Sequence, residues 1–348
     1  MRATLRNIAD AAGVSVMSAC AVLTGGGRNV KVSETTAKLI REKAKELNYE
    51  PNLAARGLRT RRTNTIGVVF QNLTEFGGAP YYQDLLDGVM AELFPRGYNL
   101  SLCPSLIREE GEIRIPNGQF DGVLWCRPDL EQTSIDSAKS LRMPIVAVHA
   151  PPGTVPGVPT FVADNERAME SIVSHLVGLG HENIGFVVKS HTARTTEGKA
   201  RTSGFLNAAK DMGVKAEILL WEYEAEELAQ YKSDTAPHTA LAAYNDVHAG
   251  HILSRAQELG IRVPYDLSVV GFDSSSLCEA SKPRLTSVHQ PIKRIAREAT
   301  ECLLRLIEAG PDGISQPKHD STLYDCRLDI RDSTAAPNPH RRGQGNHA

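Results

Sequence analysis

Four arginines, Arg56, Arg59, Arg61 and Arg62, surround Leu58 in the stretch "PNLAARGLRTRR". Guanidinium groups take phosphate oxygens on their fork of N–H donors, and one apolar side chain among them suits a wedge between the base steps of a minor groove. The same stretch also reads as a solvated linker with a stray leucine. Pro51 and Asn52 can start a helix there, but Gly57 and a length of about two turns leave it marginal in isolation. It should therefore form only against a partner. Elsewhere, "GHENIGF" carries His181, but the flanking glycines suggest a helix C-cap and a tight strand entry, which gives the imidazole a structural role. No nucleophile, base and orienting group converge at motif spacing, no cluster has metal-ligand spacing, and "GLGH" and "GGGRN" are misspaced for a phosphate loop. The chain reads as a non-enzyme that needs no cofactor.

The elements that would position these groups follow from hydrophobic periodicity. Leu5, Ile8, Ala9 and Ala12 share one helical face behind Thr4 as N-cap, and Gly13 ends the helix. Ser15 can cap a second helix with Val16, Ala19, Val22 and Leu23 as its stripe, closed by Gly25, Gly26 and Gly27. Only "GVS" separates the two, which is helix-turn-helix spacing. A third helix begins after Ser33, with Ala37, Ile40, Ala44 and Leu47 inward. On spacing alone, a DNA-binding head and a small all-helical packing module both remain open. Charge favours the first. Residues 1–62 hold 12 Lys or Arg against 5 Asp or Glu, leaving 27 against 36 for the rest of the 348-residue chain. A basic head on an acidic body points to a polyanionic partner at one end only.

From Thr65 onward, short apolar runs alternate with helical stretches: "TIGVVF", "GVLWC", "PIVAVH", "NIGFVV", "TALAAY" and "LSVVGF" between "YYQDLLDGVMAELFPRG", "ERAMESIVSHLVGLGH" and similar segments. This alternation implies parallel sheets with helices on both faces. The fold class is α/β, a two-lobed body of parallel sheets behind a small all-helical head. No apolar run reaches the roughly 18 to 20 residues of a membrane span, and Arg6, Asp10 and Ser15 interrupt any signal-peptide core. A cytoplasmic protein is expected, with Cys20, Cys103, Cys126, Cys278, Cys302 and Cys326 as reduced thiols.

Residues 3–62 resemble the head of the lactose repressor (LacI/GalR) family. The resemblance rests on "TLRNIADAAGVSVMSACAVLTG", "VSETTAKLIREKAKELNYEPN" and "LAARGL", and extends into the body through "FVADN", "HLVGLGHENIGFV", "RTSGF", "YND" and "SVVGFD". It implies a head at 1–50, a hinge helix and linker at 51–63, and a periplasmic-binding-protein-like body. The body's first lobe would comprise 64–162 plus 291–331 and its second lobe 163–290; the polar, proline-bearing composition of 332–348 separately points to a disordered tail. It further implies a transcriptional regulator, a repressor by expectation, whose two hinge helices pair and pry open an operator.

The DNA-facing set carried over is Thr4, Ser15, Val16, Met17, Ser18, Ala21, Asn29, Asn52, Ala55, Leu58 and Arg59. The family commonly has Thr, Val, Ser and Arg where this chain has Ser18, Ala19, Cys20 and Ala21. Ala21 thus removes an arginine, leaving Val16 and Met17 to offer apolar contact, for instance to a thymine methyl. Specificity would then lean on Leu58, half-site spacing and DNA deformability.

For a small-molecule effector the resemblance implies contacts at Tyr81, Tyr82, Arg201, Asn245 and Asp273, with His149 at a family ligand position, while Tyr223 and Trp221 offer a stacking face or core residues. Asp164 is expected to organise the crossing between lobes. Arg201 and Asp273 are weighed against purely structural roles. His149 stands where many family members have aspartate, which alters the ligand; a carbohydrate is expected without a particular sugar. The tail lacks leucine heptads, which points to a homodimer. The alternative is a cytoplasmic small-molecule sensor whose head has lost sequence-specific DNA binding.

Overall fold

The computed structural model describes residues 3–24, 30–50, 62–70, 80–103, 118–127, 143–154, 156–222, 225–233, 235–314 and 321–339. The chain divides into a compact head, essentially residues 1–65, and a larger body.

Three helices build the head: α1 (Leu5–Ala12), α2 (Val16–Thr24) and α3 (Glu34–Glu46). Thr4 closes a capping box with Asn7, and Gly13 ends α1 at φ 64, a left-handed conformation that glycine adopts without penalty. The Ser15 hydroxyl accepts from the Ser18 amide at 3.1 Å and so caps α2. Ser33 caps α3 in the same way. The helices enclose a core of Ile8, Ala9, Ala12, Ala19, Ile40 and Ala44. Of these six, only the two isoleucines are large.

Two six-stranded sheets form the body. The first contains β1 (Thr65–Val69), β2 (Asn99–Cys103), β3 (Gly122–Trp125), β4 (Ile145–Val148), β5 (Thr160–Ala163) and, from much later in the chain, β11 (Thr322–Tyr324), in the order β11-β5-β4-β3-β1-β2. The second contains β6 (Asn183–Val188), β7 (Lys215–Leu220), β8 (Ala240–Ala243), β9 (Ser268–Asp273), β10 (Thr286–His289) and β12 (Arg327–Asp329), in the order β12-β10-β9-β8-β6-β7. Neighbours β6, β8, β9 and β10 run parallel, whereas β12 runs antiparallel to β10.

The helices of the body are α4 (Pro80–Leu93), α5 (Asn165–Gly178), α6 (Thr196–Asp211), α7 (Ala225–Ala229), α8 (Asp246–Leu259), α9 (Leu277–Ala280) and α10 (Ile292–Ile314), the last kinked at Gly310. Leu85, Val89 and Leu93 of α4 join Ile295, Ala299 and Leu303 of α10 over the first sheet. In the second lobe, Ile184, Phe186 and Val188 face one helical layer, while Val187 joins Leu241 and Val269 beneath the other. This alternation buries the sheet on both faces, as a parallel sheet requires.

Two expectations about the chain's end are corrected. Residues 291–331 do not all belong to the first lobe, because β12 completes the second sheet. Nor is the start of the tail disordered. Ser333 is fully buried, its hydroxyl donating to the Val269 carbonyl at 2.6 Å and accepting from the Thr286 amide at 2.9 Å. A run of small polar residues looks solvent-bound in sequence, but here it satisfies the backbone of β9 and β10.

Candidate functional site

On the head, the first turn of α2 presents Val16 and Met17, 42% and 66% exposed, while Ala21 is half-buried. The Ser15 and Ser18 hydroxyls lie 2.9 Å apart and bond each other. Thr4 is occupied by its capping box. Asn29, Asn52, Ala55, Leu58 and Arg59 lie outside the described residues, as does Tyr223 of the body.

The polar residues of the body gather just past the carboxyl ends of the strands, where open α/β sheets place ligands. His149 follows β4, Asn165 follows β5, Tyr244 follows β8, Asp273 ends β9 and Gln290 follows β10. His149 and Asp273 have φ 84 and φ 120, a region non-glycine residues seldom occupy unless surrounding contacts hold them. Tyr81, near the start of α4, places its hydroxyl 3.2 Å from His149 Nδ1, and that nitrogen lies 3.9 Å from Glu197 Oε1.

Glu197 and Arg201 stand one turn apart on α6. Gly198 permits that turn's position, because a Cβ there would sit 2.0 Å from the Thr192 carbonyl oxygen. Arg201 is buried and donates from Nη2 to Glu197 Oε1 at 2.6 Å, from Nε to Asn165 Oδ1 at 2.8 Å and from Nη1 to the Tyr244 carbonyl at 2.6 Å. Its guanidinium carbon lies 3.7 Å from the Phe272 ring centroid and 4.5 Å from that of Tyr244, within cation–π range. The Tyr244 hydroxyl donates to Glu197 Oε2 at 2.9 Å.

These contacts set the charge states. Burial alone would raise the Glu197 pKa, but Arg201, His149 and the Tyr244 hydrogen bond outweigh it and hold the carboxyl below its ordinary value. Burial lowers His149, with Arg201 adding to the effect against the opposing pull of Glu197. Asp273 is pushed well up by burial and by the Asp246 carboxylate, although Arg201 and the 2.7 Å bond from Gln290 Nε2 favour its charged form. Beneath it, Asp246 accepts from the Ser275 amide, the Ser275 and Ser287 hydroxyls and the Cys278 thiol, fixing the loop that carries Asp273.

Of the residues expected from sequence, Tyr81, His149, Arg201 and Asp273 come together. Tyr82 packs edge-on against Phe70 beside the first core, and Trp221 is buried against Tyr231. Asn245 Oδ1 accepts from the His248 amide as the N-cap of α8. Asp164 caps α5 at the lobe crossing, and His181 bridges Thr239 and the Ala335 carbonyl at 2.8 and 2.9 Å. Glu197, Tyr244, Asn165 and Gln290 escaped the sequence reading. Glu197 left a trace there in its helical i,i+4 spacing to Arg201, and Asn165 and Tyr244 lie in the motifs "FVADN" and "YND" without having been singled out.

A three-helix head and a two-lobed α/β body with polar groups at its strand ends define a DNA-binding transcriptional regulator with a ligand-binding type of body. Residues 4–52 match "Bacterial regulatory proteins, lacI family" and residues 173–334 match "Periplasmic binding protein-like domain". The chain belongs to the lacI family. It is 30% identical to the HTH-type transcriptional repressor PurR of Vibrio cholerae across 94% of this chain and 96% of that one. It is 27% identical to catabolite control protein A of Priestia megaterium across 96% and 100%. Among solved structures, a lac repressor dimer bound to operator and the anti-inducer ONPF shares the fold with a TM-score of 0.79 at 20% identity, covering 97% of this chain and 100% of that one. A complex of the transcriptional regulator CelR with cellobiose matches at TM-score 0.65 and 25% identity, covering 95% and 100%. Among the described residues, no helix is long and apolar enough to cross a membrane.

Proposed function

We propose that this regulator is a cytoplasmic homodimeric repressor that binds a roughly palindromic operator through its heads and a carbohydrate-class effector through the cleft of its body. The convergence of Tyr81 and His149 from one lobe with Glu197, Arg201 and Asp273 from the other carries the reading. A compound bridging these groups changes how the lobes meet, and such a change is what an effector must bias. In the head, Val16 and Met17 reach base edges, while Ser15, Ser18 and Thr4 sit at helix starts suited to phosphate. Asn29, Asn52, Ala55, Leu58 and Arg59 extend the DNA-facing set, and Tyr223 joins the effector set. Ligand-bound and operator-bound relatives support both halves of this reading, and the chain carries no catalytic role in it.

The test is selection of random duplex DNA by the purified protein at near-physiological salt, with sequencing of the bound pool. A palindrome with a readily deformed centre is the expected result. A featureless pool would favour the alternative that Ala21 leaves visible, a small-molecule sensor without sequence-specific DNA binding. Release of the selected operator by sugars, blocked by Tyr81→Phe or His149→Ala, tests the cleft.

A further inference from the structure

The guanidinium of Arg201 lies buried in the cleft, and each of its three nitrogens already donates to a group of the chain. A planar guanidinium facing a ligand site ordinarily offers two parallel donors to a carboxylate, sulfate or phosphate. Here Glu197, one helical turn away, accepts from Nη2 on Oε1, and its second oxygen is held by the Tyr244 hydroxyl. Asn165 and the Tyr244 carbonyl fix the other two nitrogens. The rings of Phe272 and Tyr244 hold the guanidinium plane. Around this neutralised pair stand the Asp273 carboxyl, the Tyr81 hydroxyl and the His149 imidazole.

We propose that Glu197 sets the charge class of the effector: it fills the anion slot of Arg201, so the cleft admits neutral or cationic compounds rich in hydroxyl or ammonium donors and bars carboxylates, sulfates and phosphate esters. The inference rests on the cleft being the effector site, as proposed above. An entering anion meets the Glu197 carboxylate within a few ångströms. With the charge of Arg201 already met by Glu197, that anion gains no net ionic attraction and binds roughly tenfold or more weaker than at an unpaired guanidinium. A hydroxyl or ammonium instead finds acceptors in Glu197 and Asp273, whose lone pairs are not all spent on the bonds described.

Sulfate is the probe, titrated into the full-length protein against sodium chloride of equal ionic strength, with the His149 ring resonances as a reporter inside the cleft. The expected result is no sulfate-specific shift in the wild type. In Glu197→Gln, which removes the negative charge beside Arg201, a saturable shift should appear with affinity at least about tenfold above any seen in wild type, and it should vanish in the Glu197→Gln, Arg201→Met double variant. A sulfate-specific shift of equal strength in the wild type, or none in folded Glu197→Gln, overturns the proposal. Should Glu197→Gln not fold, the wild type decides alone, since a shift there refutes exclusion and its absence sustains it. The readout needs no effector. A cleft that takes sulfate therefore sinks the exclusion while leaving the effector-site reading standing, and sugar release of the operator tests that reading separately.

Discussion

The head and the body place their recognition chemistry in opposite ways. The first turn of α2 shows two apolar side chains to solvent over a core whose fully buried large residues are Ile8 and Ile40. The body hides a charged pair among rings and hydrogen bonds and holds two of its site residues at unfavourable φ. An apolar surface side chain needs little fixing, because the DNA groove supplies the shape it meets. A cleft that discriminates by charge must hold its polar groups before the ligand arrives.

The largest expected effect strikes the body. Arg201→Met leaves the Glu197 carboxylate buried without its partner and should lower stability by about 3–5 kcal/mol, read from urea unfolding of the body. A change under about 1 kcal/mol would mean that the pair is not fixed as described.

In the head, Ile40→Ala should cost about 2–4 kcal/mol. With so few large side chains present, operator binding should disappear while the near-ultraviolet signal of the body persists. Loss of both together would show that the two units do not fold independently.

Acid should separate the units further, because all 11 histidines lie after residue 148. Burial lowers His181 from 6.5 to about 4, against the opposing bond to Ala335. Between those values the unfolded chain takes a proton that the folded chain refuses. The contribution is therefore complete above pH 6.5 and is lost as pH falls toward 4, at most about 3 kcal/mol. Unfolding titrations of wild type and His181→Asn should converge across that interval, and parallel pH curves would contradict the assignment.

The smallest effect is expected at Met17. Met17→Ala should change head stability by no more than about 0.5 kcal/mol, and operator affinity by about 1 kcal/mol, the scale of a buried methylene or two. Unchanged affinity in a binding titration would remove Met17 from the DNA-facing set.

Much of this was legible in the chain. Thr4, Gly13, Ser15 and Ser33 announce helix ends by local chemistry alone, and the apolar runs at 65–70, 183–188 and 268–272 announce buried strands. His149 could be marked from sequence because it follows a strand-like apolar run, and Arg201 because it opens the "RTSGF" motif. Glu197 could not be ranked, since its meaning depends on Tyr244, which reaches it from β8 across 47 positions of chain. The capping role of Asn245 was not visible, because a strand-end asparagine that caps the next helix looks the same in sequence as one that faces ligand. Ser333 was missed for a related reason: a polar residue reads as exposed until the backbone groups it satisfies are known.

The late arrival of β11 and β12 has a consequence for synthesis. These strands occupy residues 322–329 and supply an outer strand to each sheet, and the segment after them closes over β9 and β10. Neither lobe can finish on the ribosome while its last strand is still inside the exit tunnel. The nascent body must wait, with open strand edges, until residue 329 has left the tunnel. The head can close on local contacts long before.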